Sequence, residues 1–194
     1  MKNEYESMPE QNKKFYKIMM ELKHESDRGL IIVAATAADC LLRDFITTRI
    51  RSHSSQSVVD VPKLFSKRIV IAYQLKYISK EFEAVLHNLR EFRNIAAHSL
   101  LNTHYDLMDK RNAKYIESIV NPYCHLRNFQ TIVYFDRSKG SLERKLCSAA
   151  IVLILTQLEK LNSMRETDVV AAEWKKSKLT KDKFIASFKD GETN

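Results

Sequence analysis

The chain has 194 residues, is 44% hydrophobic and carries a formal net charge of +8, with only three Gly and three Pro. That is enough apolar material for one compact domain with a substantial core, and too little punctuation for a turn-rich β fold. Its three cysteines (Cys40, Cys124, Cys147) show no CxxC spacing, so neither a zinc ribbon nor a disulfide framework is supported and reduced thiols are expected.

Residues 10–25 predict a first helix, with Phe15, Ile18, Met19 and Leu22 at i, i+3, i+4, i+7 spacing. The next stretch, "ESDRGLIIVAATAADCLLRDFITTRIRS", opens on Ser26 and Asp27 as N-cap candidates. It then runs apolar on nearly all sides, as a central, mostly buried helix does. Asp39, Arg43 and Asp44 form a polar face along it. "SHSSQSVVDVPK" is a polar, Pro-terminated loop. A third helix is expected over "LFSKRIVIAYQLKYI", with Leu64, Arg68, Ile71 and Leu75 along one line. Ser79 caps a fourth, "KEFEAVLHNLREFRNIAAHSLL", whose core stripe is Phe82, Val85, Leu86, Leu89, Phe92 and Ile95/Ala96.

Residues 102–127 are mixed, with a short helix in "DLMDKRNAKYIESIV". "NFQTIVYFDRS" is rich in β-formers and reads as the one credible strand. Ser141 opens a last long helix, and its apolar run "SAAIVLILTQL" is far short of the roughly twenty residues that span a bilayer. The tail, with Trp174, Phe184 and Phe188 among lysines, reads either as an appended amphipathic helix or as a frayed end. The expected architecture is an all-α helical bundle with one minor β element. It divides into a single helical domain over 1–165 and a basic C-terminal tail or appended helix over 166–194. No secretory h-region opens the chain, so a cytoplasmic protein without membrane attachment is expected.

Most catalytic templates are missing: no Gly-rich phosphate loop, HExxH or GxSxG occurs. Scattered histidines (His24, His53, His87, His104, His125) offer no metal-ligand spacing, so no metal and no cofactor are expected. What stands out is "RNIAAH", Arg93 to His98, inside a helical, half-apolar run. Asn94 and His98 are i, i+4 and face the same way, with Arg93 about a hundred degrees around from Asn94. A bend near Ser99 lets all three line one cleft. The chemistry suits RNA. A histidine takes the proton of a 2′-hydroxyl or gives one to the leaving oxygen. A guanidinium holds the phosphate and its developing charge, and an amide fixes the imidazole tautomer or binds a phosphate oxygen. Arg-to-His spacing alone is weak evidence, however. An Asn–His contact that closes a helix end, with Arg93 paired to Glu91 or Glu83, accounts for the same residues as a polar packing seam.

"ESDRGLIIVAATAADCLLRDFI" followed by "LFSKRIVIAYQLKYISKEFEAVLHNLREFRNIAAH" resembles the mannitol operon repressor family over roughly residues 25–98. "RNIAAH" also resembles the Arg-x4-His signature of the HEPN superfamily of small helical domains, many of them metal-independent ribonucleases that act as toxins or antiviral effectors. The resemblance implies a HEPN-like or mannitol-repressor-like bundle. It also implies a homodimer with a composite site, in which Arg93 binds phosphate, His98 is the general acid/base and Asn94 the polar residue after the Arg. Asp27 and Arg28 match the repressor family's polar start of the central helix and would border the cleft. The chain departs from mannitol repressors in keeping Arg, Asn and His together and in its basic tail, which points away from mannitol regulation.

Three functions follow. The first is a metal-independent endoribonuclease cutting RNA by 2′-OH attack, as a toxin or defence effector with an antitoxin or regulatory protein partner. The second is a non-catalytic transcriptional regulator of the mannitol-repressor type, working through protein contacts. The third is a nucleotide- or RNA-binding module that does not cut, to which Lys175, Lys176 and Lys178 in the tail would give salt-dependent backbone affinity.

Overall fold

A computed structural model describes residues 10–53, 61–98, 105–107, 109–135 and 140–163. These hold seven α-helices and no strand: α1 (Glu10–Lys23), α2 (Asp27–His53), α3 (Phe65–Gln74), α4 (Lys80–His98), α5 (Lys110–Val120), α6 (Arg127–Phe135) and α7 (Leu142–Ser163). The all-α bundle is as expected from composition; the minor β element is absent from the described residues. Residues 127–135 form α6 instead. Their β-formers fall at helical spacing, with Phe129 and Val133 buried and Ile132 half-buried, and a solitary strand would leave its ladder groups unpaired.

Helix starts follow local chemistry. Ser26 Oγ accepts from the Gly29 N–H at 3.0 Å and makes Ser26 the cap of α2. Ser79 Oγ accepts from Phe82 N–H at 3.2 Å, Asp109 Oδ1 from Arg111 N–H at 2.9 Å and Ser141 Oγ from Arg144 N–H at 3.3 Å. Each satisfies a donor that the first turn leaves without an intrahelical partner.

The centre of the molecule is the pair α2 and α7. In α2 (27 residues, about 40 Å long) Leu30, Ile31, Ala34, Ala35, Ala38, Leu42, Phe45 and Ile46 are buried. In α7 every residue from Leu146 to Leu155 is buried. α7 packs against α1, α2, α5 and α6, while α2 packs against α3 and α4 as well, and α4 against α3 and α5. α7 is the one described helix long and apolar enough to cross a membrane by length and composition; 67% of its apolar window is buried inside the bundle.

α2 and α4 run antiparallel. Phe45, in the second half of α2, meets Tyr77, just ahead of α4, edge-on at 5.0 Å. Arg28, at the start of α2, sits over Tyr105, beyond the end of α4. The core stripe of α4 is Phe82, Val85, Leu86, Leu89, Phe92 and Ala96, with Ile95 half-buried.

α3 corrects its expected stripe. Its buried side chains are Phe65, Arg68, Ile69 and Ala72, while Leu64 and Leu75 lie outside. Arg68 enters the interior because Asp39 of α2 accepts from its Nε at 2.9 Å and Nη2 at 2.5 Å, and the Pro62 carbonyl accepts from Nη1 at 2.5 Å. Asp39 is therefore committed to Arg68, and Arg43 bonds Asp44 instead, at 3.2 Å. α3 also stops at Gln74, earlier than its apolar run. Lys76 N–H donates to Tyr73 O at 2.8 Å and Tyr77 N–H to Ala72 O at 2.9 Å, a Schellman closure, with Lys76 at φ 58° in the left-handed position that glycine usually fills.

Candidate RNA-cleaving site at the end of α4

α4 carries Arg93, Asn94 and His98 on its last two turns. Phe92 and Ala96 face the core, which leaves Arg93 and Asn94 half-buried and His98, the final residue, exposed. On an ideal helix Asn94 and His98 are about 40° apart and one turn along, whereas Arg93 and His98 are about 140° apart. Arg93 Nη2 donates to Asn94 Oδ1 at 3.0 Å, which ties the guanidinium to the residue one turn before His98. The carboxylates expected to pair with Arg93 are engaged elsewhere. Glu91 bonds Arg90, and Glu83 lies 4.0 Å from His87. The bend expected near Ser99 lies outside the described residues.

Below the motif is an aromatic platform. Phe92 stacks on Tyr115 of α5, with centroids 5.6 Å apart and planes 12° apart, and lies 6.4 Å from Tyr105. Arg28 lies 5.8 Å above the Tyr105 ring and Lys114 lies 4.8 Å above that of Tyr115, cation–π distances in both cases. The start of α2 and the end of α4 thus share one end of the bundle, and Arg28 is brought there with the motif through the Tyr105–Phe92 contact. Tyr105 Oη is buried without a hydrogen-bond partner. Burial, helped by the charge of neighbouring Asp27, pushes its phenol well above the usual tyrosine range, so it stays protonated.

Asp27 has a different engagement from Arg28. Its carboxylate pairs with Arg144 of α7 and accepts from Leu107 N–H at 3.3 Å. Arg144 in turn donates to the carbonyls of Glu25, at 2.5 Å, and Leu22, at 3.5 Å. One ion pair therefore ties the α1–α2 connection, the segment before α5 and the start of α7. Beside it Cys147 is fully enclosed, and burial, with the Asp27 charge adding and Arg144 opposing, pushes its thiol up to about 12. Arg144, Tyr105 and Tyr115 carry no motif that marks them; only their positions beside Asp27, Arg28 and Phe92 do. Lys175, Lys176 and Lys178, and the tail over 166–194, lie outside the described residues.

No family model, curated protein or solved structure matches the chain.

Proposed function

We propose that the protein is a metal-independent endoribonuclease of HEPN type, cleaving RNA by attack of a 2′-hydroxyl on the adjacent phosphate. The observation that carries this reading is the exposed His98 one turn beyond an Asn94 that accepts a hydrogen bond from the Arg93 guanidinium. His98 takes the 2′-OH proton and returns one to the 5′-oxygen as it leaves. Arg93 binds the phosphate and stabilises the extra negative charge of the pentacoordinate state. Asn94 orients the guanidinium, and Arg28, at the same end of the bundle, adds positive potential. The net charge of +8 favours encounter with an anionic chain, and Lys175, Lys176 and Lys178 extend that attraction. Two copies pairing their α4 ends would place two motifs in one cleft. The protein acts in the cytoplasm under the control of an inhibitory protein partner.

The test is incubation of the purified protein with a mixed RNA pool in EDTA. Wild type is expected to release fragments ending in 2′,3′-cyclic phosphate. His98→Ala should lower the rate at least 100-fold, in line with loss of a general acid/base, and Arg93→Ala by a similar factor, both with an unchanged circular dichroism spectrum. No cleavage by wild type at low salt, or equal cleavage by His98→Ala, overturns the reading and leaves the non-catalytic regulator.

A further inference from the structure

Two of the three cation–ring contacts among the described residues converge on Phe92; the other, Arg49 over Phe45, lies in the second half of α2. Phe92 is fully buried and immediately precedes Arg93. Tyr105, 6.4 Å from it, carries the Arg28 guanidinium at 5.8 Å. Tyr115, stacked on it at 5.6 Å, carries the Lys114 ammonium at 4.8 Å. Each cation is therefore one ring away from the residue at the root of Arg93. Arg28 comes from α2 and Lys114 from α5, and they share this end of the bundle because both helices pack on α4.

A ring places a cation without consuming its donors. A guanidinium held by its face keeps the N–H edge that matches a phosphate, and an ammonium keeps rotatable N–H donors. Lys114 is exposed, and Arg28 is half-buried. Three carboxylates at this end pair with other arginines: Asp27 with Arg144, Asp109 with Arg111 and Glu91 with Arg90. Arg93 and His98 can act on one phosphate only, and contacts to further phosphates are what fix the register of a nucleic-acid strand on a protein.

We infer that Arg28 and Lys114 hold RNA phosphates flanking the scissile one, with Tyr105 and Tyr115 as the positioning residues that set them. These contacts presuppose the ribonuclease reading, which supplies the scissile phosphate. They extend it by making the substrate a strand held at several phosphates, for which a dinucleotide is a poor replacement.

The test uses an oligoribonucleotide containing a bond that the protein cuts, and the same strand with its other phosphates replaced by neutral methylphosphonates, both in EDTA. Arg28→Gln and Lys114→Gln should each raise KM for the anionic strand about threefold or more and leave kcat unchanged. Each should reduce the slope of log KM against log salt by about 0.7. On the methylphosphonate strand the same changes should have no effect. Tyr105→Leu and Tyr115→Leu should raise KM as loss of their cations does. Tyr105→Phe and Tyr115→Phe keep the rings and should restore it, with melting temperatures identifying any variant that has not folded. Lys80→Gln removes an exposed lysine at the opposite end of α4, about 27 Å along the helix from His98; it should change nothing, which separates local contact from net charge.

Cleavage whose KM and salt slope ignore Arg28→Gln and Lys114→Gln, or respond equally to Lys80→Gln, overturns the proposal and leaves the ribonuclease standing. If wild type cuts no strand, the ribonuclease reading fails, and fluorescence anisotropy on a 2′-O-methyl strand decides the phosphate contacts. No binding, or binding that Arg28→Gln and Lys114→Gln leave unchanged, overturns them as well. Binding weakened by both and not by Lys80→Gln upholds them in a protein that holds RNA without cutting it.

Discussion

Arg93 shows how much a single hydrogen bond changes the meaning of a motif. By helical geometry alone it points well away from His98; its side chain instead bonds Asn94, the residue one turn before that histidine. That contact connects residues adjacent in sequence, yet nothing in the spacing distinguishes it from the alternative pairing with Glu91 or Glu83, and the structure assigns those two to Arg90 and His87. The cysteines separate just as sharply. Cys40 is exposed, Cys124 and Cys147 are buried, and the enclosed Cys147 thiol, held near 12, has almost no reactive thiolate at neutral pH. One thiol per chain should therefore react with a disulfide reagent in the native protein at pH 8, and all three after denaturation. Mass mapping that places the fast adduct on Cys147 would contradict the packing of α7.

Helix ends, more than helix interiors, are where short-range chemistry decides. Lys76 occupies a left-handed position that disfavours a Cβ. Lys76→Gly should raise stability by about 0.5–1 kcal/mol, the lost strain being partly offset by a looser unfolded chain; a urea midpoint that falls would show that the Lys side chain does something the backbone does not reveal. At the start of α5, the side-chain bond from Arg111, followed by its backbone N–H bond, holds Asp109 down at about 2. A carboxyl with a depressed native pKa adds stability that is complete above its unfolded value, near 4, and is lost as pH falls toward 2. The first turn of α5 should loosen over that window and not above it, visible as a falling protection factor of the Arg111 amide once the intrinsic exchange rate at each pH is divided out. α6 marks the limit of such local reasoning. Its β-forming composition is real, but the spacing of Phe129 and Val133 lets it bury two large side chains against α7 as a helix, and packing outweighs propensity.

Across the whole molecule, Asp27 and Arg144 bind the ends of three segments that are far apart in sequence. Arg144→Met should cost about 3 kcal/mol, since it strands a partly buried carboxylate as well as removing the donors to Glu25 O and Leu22 O. Adding Asp27→Asn should recover part of that loss, a coupling that a double-mutant cycle in urea measures. Recovery of nothing would mean that Asp27 is stabilised by Leu107 N–H and solvent alone. The same pair bears on the candidate site: Asp27 fixes the start of α2, and the next residue, Arg28, is carried to the aromatic platform under the end of α4.

The helical class, the caps at Ser26, Ser79 and Ser141 and the core stripe of α4 were all legible in the chain. Each rests on interactions within four residues, where helical geometry leaves little choice. What only packing decided involves partners far apart: Arg68 turned inward to Asp39, Asp27 tied to Arg144, Arg28 laid over Tyr105, and an apolar stretch around α3 divided into a buried face and an exposed one. Short-range spacing specifies which way a side chain leaves its helix. Which neighbour waits there, core, charge or solvent, depends on how helices distant in sequence come to lie side by side, and the chemistry proposed at the end of α4 depends on both.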